Sequence, residues 1–314
     1  MRRIALFGAA AALVVSGGVV LAQEGIGRAG EDGTYRTLTE GLKVIGGFDF
    51  SESCSYDPGR GVIVAPNMGN RVNAGFVNDG WVTLLNHDGS VHTLELIAGD
   101  DETGIWVNDP FGSDIVNGVL YLADRTGGTS DTDPSVAVVT MFDMATGEMI
   151  GMHSVPDSTG FNDLEVTDDG VIYASESSDP GRIFQVNPDG SYSVFLEGAP
   201  LARPNGVALD GDGNIVVVNI GDNAVLTFSP AAELLNTEHA VEGGNDGIVI
   251  MDDGTKYVSS VRFGSISRIA PGGTAEMIAV GMPGGASMCY DPDANQLVVP
   301  LNNANALVFV PLGM

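Results

Sequence analysis

Six turns of similar composition recur along this chain, the later ones at a nearly constant interval, and that period excludes most folds at once. They are Pro58-Gly59-Arg60-Gly61, Val116-Asn117-Gly118, Asp168-Asp169-Gly170, Gly211-Asp212-Gly213, Asp252-Asp253-Gly254 and Pro292-Asp293-Ala294-Asn295. From Gly170 to Gly213 to Gly254 to Asn295 the steps are 43, 41 and 41 residues. Short β-rich runs follow them, such as Val62-Ile63-Val64, Val119-Leu120-Tyr121-Leu122 and Ile215-Val216-Val217-Val218. A second turn series falls inside the units: Asp88-Gly89, Thr146-Gly147, Asp189-Gly190, the Pro230-Ala231 region and Gly272-Gly273. One unit therefore reads strand, turn, strand, linker, strand, turn, strand, which is a propeller blade. The first turn series predicts an all-β, six-bladed β-propeller over residues 35–314. TIM barrels and doubly wound sheets need amphipathic helices between their strands, and the strand runs here follow one another without them.

A propeller has to close its ring. The last unit runs out after Ala306-Leu307-Val308-Phe309-Val310 with no outer strand of its own, and the stretch from Tyr35 to Val44 is predicted to supply it, which also removes exposed sheet edges. Segments near Asn73 to Trp81 and Thr126 to Ser135 read as polar, Gly-rich insertions in the first two blades.

Ahead of the propeller, Arg2 and Arg3 precede an apolar stretch from Ile4 to Leu21, and Val20-Leu21-Ala22 offers a signal-peptidase pattern. Residues 1–22 are expected to be a cleaved signal peptide and 23–34 a flexible mature N-terminus, placing the protein in the periplasm or outside the cell. The chain carries 41 acidic against 13 Lys and Arg side chains, a net charge of −28, and loss of the two leader arginines makes it −30. Such a surface repels phosphate backbones and anionic lipid, so a small-molecule partner is expected rather than nucleic acid or membrane. Cys54 and Cys289 sit in matching contexts, before Tyr56-Asp57-Pro58 and within Cys289-Tyr290-Asp291-Pro292. A bridge between them would close the ring in an oxidising compartment, and two buried thiols fit the sequence equally well.

Chemistry in a propeller gathers where the innermost strands begin, since those ends converge on the channel mouth. Asn162, Asn205 and Asp246 each stand eight residues before the glycine of their turn, and Glu52 opens the corresponding strand of the first blade. A ring of carboxylate and amide oxygens suits a hard divalent cation, Ca²⁺ before Mg²⁺ or Mn²⁺. Zinc would call for histidine or cysteine, and His87, His92, His153 and His239 match none of these positions. Turn chemistry alone accounts for a single Asn-Gly or Asp-Gly, so it is the shared register that points to a metal.

These residues resemble the six-bladed propellers of the regucalcin, gluconolactonase and senescence-marker-protein family, from about Glu52 to the C-terminus. The resemblance rests on Glu52 ahead of Asp57-Pro58, on Pro204-Asn205-Gly206, on Asp246-Gly247 and on Asn162-Asp163. It implies one divalent metal on Glu52, Asn205 and Asp246, and substrate contacts from Asn162 and Asp163. Glu176 is expected as a further substrate-side acid, and Asp246 as both metal ligand and general base. The family's aldonolactonases carry an arginine two residues before that asparagine, and Gly160 stands there instead, so less polar lactones are expected to be better substrates.

Two functions follow: metal-dependent hydrolysis of a lactone or similar cyclic ester, or a non-catalytic exported propeller that binds a ligand or envelope protein around a structural metal. Other motifs carry nothing. Gly25-Ile26-Gly27-Arg28-Ala29-Gly30 fits GxGxxG without a strand before it or a helix after it. Asp210-Gly211-Asp212-Gly213-Asn214 starts like a calcium loop but has Ile215 at its required glycine. No G-x-S-x-G nucleophile elbow occurs.

Overall fold

Each predicted unit forms a four-stranded antiparallel sheet, and six such sheets stand around a channel in the computed structural model, which describes residues 27–29, 35–69, 78–128 and 132–313. The leader expected at residues 1–22 lies outside the described residues. The inner strands are Ser55–Asp57, Ser113–Val116, Leu164–Val166, Pro204–Leu209, Asn245–Ile250 and Cys289–Asp291. Each packs against the next around the ring, and the last returns to the first. The six predicted first turns join inner to second strands, and the second series joins third to outer strands.

Burial explains why the strands look as they do in sequence. Second strands are covered on both faces by neighbouring blades, so Val62–Asn67 and Gln296–Leu301 are buried at every position. Outer strands face solvent, so Val91–Ala98 and Leu234–His239 are mostly exposed. The core is divided accordingly: six apolar clusters, each spanning one pair of adjacent blades. Each sheet thus covers its neighbour's apolar face, as in a sandwich repeated around a circle.

Closure occurs at the sixth blade, with a shift in the strand that makes it. Lys43–Gly46 pairs with Ala306–Pro311, from Ala306 opposite Gly46 to Phe309 opposite Lys43. Tyr35–Thr37 does not join that sheet; it pairs with Gly27–Ala29, inside the segment expected to be flexible. Between them the chain is fastened to the fifth blade, where Thr39 N–H donates to Val280 O (3.1 Å) and Val280 N–H to Thr39 Oγ1 (2.9 Å). The chain then turns at Gly41, whose φ of 82° favours glycine. Leu42 and Val44 bury themselves between the fifth and sixth blades. A disulfide joins Cys54 to Cys289, with Cα atoms 5.4 Å apart, inside the cluster between the sixth and first blades. Bridge and closing strand therefore both tie the C-terminal strands of the sixth blade to residues near the start of the propeller. Among the described residues no helix is long and apolar enough to cross a membrane.

Candidate active site at the channel mouth

Strand pairing confirms the register inferred from the turns. The inner-strand residues Val166, Leu209 and Ile250 pair with Ile172, Ile215 and Lys256 across the first turns. Asn162, Asn205 and Asp246 each lie four residues before them, whereas Glu52 falls one place outside this alignment. The glycines after Asn205 and Asp246 have a packing role. A Cβ on Gly206 would lie 2.3 Å from Asp246 O, and one on Gly247 would lie 2.6 Å from the backbone at Ser287 and Met288. Adjacent inner strands approach so closely there that only glycine fits, which keeps the polar side chains of neighbouring blades within reach of each other.

Asn205 and Asp246 meet directly, Asn205 Nδ2 donating to Asp246 Oδ2 over 3.1 Å. Both are almost fully buried, as is Glu52. Burial pushes the Asp246 carboxyl well above the usual carboxylate range, and the charges of Glu52 and Asp163 push it further in the same direction. Asp246 Oδ1 and Asn205 Oδ1 are buried with no hydrogen-bond partner, as are both polar atoms of Asn245. Buried polar atoms are normally satisfied, because leaving one bare costs about 1–3 kcal/mol. Glu52 is held by its Oε2, which accepts from Asn302 Nδ2 at 2.7 Å, while its carbonyl accepts from Ser287 N–H at 3.1 Å.

Asp163 reaches into the channel from the third blade. Its Oδ2 accepts from Val207 N–H of the fourth blade (3.2 Å) and from Ser287 Oγ of the sixth (3.3 Å), so it spans the bore. Burial raises it to about 7. Further along, Asp114 accepts from Val166 N–H (2.9 Å) and Glu165 from Leu209 N–H (3.3 Å). Burial lifts Asp114 to about 6 and Glu165 well above its ordinary value, with the Asp114 charge adding to the latter. Sequence reasoning passed over Asp114 and Glu165. Their signal was an acid placed inside an otherwise apolar inner strand. Asn302 and Ser287 carried no comparable mark.

Asn162 and Glu176 lie to one side of this group, in a cavity of about 280 Å³ that Phe111, Arg125, Gly160 and Phe161 also line. Glu176 is heavily engaged: its Oε2 lies 2.5 Å from Arg182 Nη2, and its Oε1 accepts from Ser158 Oγ at 2.9 Å. That carboxylate braces the cavity wall. Among the described residues no three His, Cys, Asp or Glu side chains gather as a metal centre. The group at Asp246 has two acids and an amide. The expected hairpin at Asp210 is present, with Gly213 N–H donating to Asp210 O at 2.9 Å.

Comparison with solved structures places this architecture among known propellers. A gluconolactonase from Xanthomonas campestris is similar with a TM-score of 0.61 and 16% identity, over 87% of this chain and 91% of that one. A virginiamycin B lyase from Staphylococcus aureus gives 0.59 and 11%, over 86% and 99%. At such identities the likeness is one of fold. No curated protein matches the sequence. The profile of the SMP-30/gluconolactonase/LRE-like region matches residues 87–301, a span that holds Asn162, Asn205 and Asp246. With more than half of its length matched, the chain belongs to the SMP-30/gluconolactonase/LRE-like family.

Proposed function

We propose that the protein is a metal-dependent hydrolase of a lactone or similar cyclic ester, with Glu52, Asn205 and Asp246 holding one divalent cation, Ca²⁺ before others. The observation that carries this reading is the pair of orphaned buried oxygens, Asp246 Oδ1 and Asn205 Oδ1, on two side chains that Asn205 Nδ2 and Asp246 Oδ2 hold together. Hard oxygen donors, two of them anionic, match calcium's preferences. A bound divalent cation would polarise the ester carbonyl and acidify water.

The chain's own groups supply the rest. Asp246, oriented by the Asn205 Nδ2 hydrogen bond, is the carboxylate placed to take a proton from attacking water. Asn162, on the cavity wall, orients the substrate. Asp163, tied across the bore by Ser287 and Val207, sets the electrostatic floor beneath Asp246. Family membership and the gluconolactonase among the similar folds support a lactone substrate. An apolar leader and the Cys54–Cys289 bridge support export to an oxidising compartment.

The test is a lactone and ester panel assayed in calcium and in chelator. Turnover of at least one lactone, lost in chelator and restored by calcium, is expected. No turnover above the chelated control would replace the enzyme with a ligand-binding propeller.

A further inference from the structure

At the end of the propeller opposite the mouth, a cavity of about 720 Å³ opens between the fifth and sixth blades. Ile250, which lines it, ends the inner strand that Asp246 nearly begins, so that strand separates the cavity from the mouth. Its wall is apolar and aromatic. Tyr257 belongs to the buried cluster between these blades, and Met251, Tyr290 and Leu312 pack against that cluster partly buried. Tyr290 is held in place: its Oη donates to Asn295 Oδ1 (2.9 Å), and Leu312 N–H donates to Asn295 O (2.8 Å).

The rim of the cavity is acidic, because Asp252 and Asp253 stand exposed there on the turn of the fifth blade. Thr255 N–H donates to Asp253 Oδ1 (2.9 Å) and holds that carboxyl below the usual carboxylate range. The Asp252 carboxylate has no hydrogen bond or ion pair among the described residues. A neighbouring hollow shares both aspartates and adds Asp210 and Asp212. The cations nearby are already matched, Arg268 by Glu276 at 2.7 Å and Lys256 by Glu238 at 2.9 Å. Negative charge is therefore in excess.

We propose that this cavity is a second binding site, one that takes a small aromatic amine in its protonated form. The ring lies against Tyr290, Met251 and Leu312, and the ammonium reaches Asp252 and Asp253 at the rim. Charge selects the cation, since an anion would meet two carboxylates on a chain of net charge −28. The wall selects the organic body: a hydrated metal ion would leave Tyr290 and Leu312 uncovered and find too few oxygens. Water screens an exposed carboxylate, so charge alone binds weakly, and the tyrosine face adds cation–π attraction. An apolar cavity of this size with a few polar groups at its edge has the usual form of a small-molecule site. The proposal does not depend on the lactonase reading.

Tyramine, tyrosol and phloretate carry the same hydroxyphenylethyl group ending in ammonium, hydroxyl and carboxylate. Calorimetric titration of the protein with each, in chelator and again in calcium, tests the assignment. Tyramine is expected to bind about tenfold more tightly than tyrosol, and phloretate not at all, with or without calcium. Tyr290→Leu keeps the apolar bulk but loses the π face, and should weaken tyramine about tenfold, whereas Tyr290→Phe should retain it. Asp252→Asn combined with Asp253→Asn, at two exposed positions, should reduce tyramine to the affinity of tyrosol and leave tyrosol unchanged. Equal affinity of wild type for tyramine and tyrosol, or no binding of tyramine, would overturn the proposal. Unchanged tyramine affinity in Tyr290→Leu or in the double aspartate variant would overturn it too. Tyramine binding abolished by calcium would place the ligand at the mouth and so overturn it as well.

Discussion

Two buried aspartates on inner strands, Asp291 and Asp246, show how differently one architecture can treat the same side chain. Asp291 sits at the seam between the sixth and first blades, with His87 Nδ1 at 2.9 Å and Gln296 Nε2 donating at 2.8 Å. Backbone N–H groups of Asp293 and Ala294 donate to it as well, at 3.2 and 3.3 Å. Asp246 receives one hydrogen bond, from Asn205, and faces the charges of Glu52 and Asp163. One acid is satisfied by the protein; the other keeps one buried oxygen without a hydrogen-bond partner, the oxygen that the proposed cation would engage. On the proposed function, the seam serves stability and the mouth serves chemistry.

The largest effect should come from the seam. The Cys54–Cys289 bridge closes a span of 235 residues, so replacing both cysteines by alanine should cost about 4 kcal/mol of unfolding free energy. Urea unfolding measures this, and lactone turnover at room temperature should stay unchanged. Loss of turnover in the folded double variant would mean that seam and mouth are not separable.

At the mouth, Asp246→Asn should reduce kcat at least a hundredfold, about 2.7 kcal/mol of barrier, while leaving metal-free stability equal or higher. The side chain keeps its size but loses the charge and basicity that the site uses. The matching change at the seam, Asp291→Asn, should do the reverse, costing about 2 kcal/mol of stability with little change in kcat. Steady-state kinetics and denaturant melts on the two variants break the comparison if both lose the same property.

A smaller effect separates the two regions by pH. Asp114, Asp124 and Asp163 are raised to about 6, 6 and 7, and Asp246 is raised well above its ordinary value, each chiefly by burial. Raised carboxyls hold protons in the folded state that the unfolded chain releases. Their contribution to stability is therefore complete below pH about 4 and is lost as pH rises through the folded values. Metal-free protein should lose at least 1.4 kcal/mol per pH unit, about the slope of one proton, between about pH 5 and 7. Saturating calcium should flatten the neutral end of that curve, adding about 2.7 kcal/mol at a hundredfold excess over Kd. Melts across pH with and without calcium check this, and a stability that rises toward neutral pH in chelator would contradict the charge arrangement.

Much of this molecule was legible in the sequence because a propeller repeats its grammar. Turn glycines at a fixed period mark the blades, and the same alignment brings Asn162, Asn205 and Asp246 into register without coordinates. What stayed hidden depends on contacts between blades. Lys43–Gly46 rather than Tyr35–Thr37 closes the ring because Thr39 is fastened to Val280, a partner far away in sequence. Glu176 reads in sequence as a substrate-side acid, and its place in the cavity wall depends on Arg182 and Ser158, contacts that spacing does not show. The choice between bridge and free thiols at Cys54 and Cys289 was likewise a question of distance, which spacing along the chain does not encode.

Calcium titration of the metal-stripped protein and two variants tests the central claim most directly. The account predicts one equivalent bound by wild type, weaker binding by Asn205→Ala, which loses a neutral ligand, and the weakest by Asp246→Ala, which loses an anionic one. Calcium affinity in Asp246→Ala equal to that of wild type would contradict it.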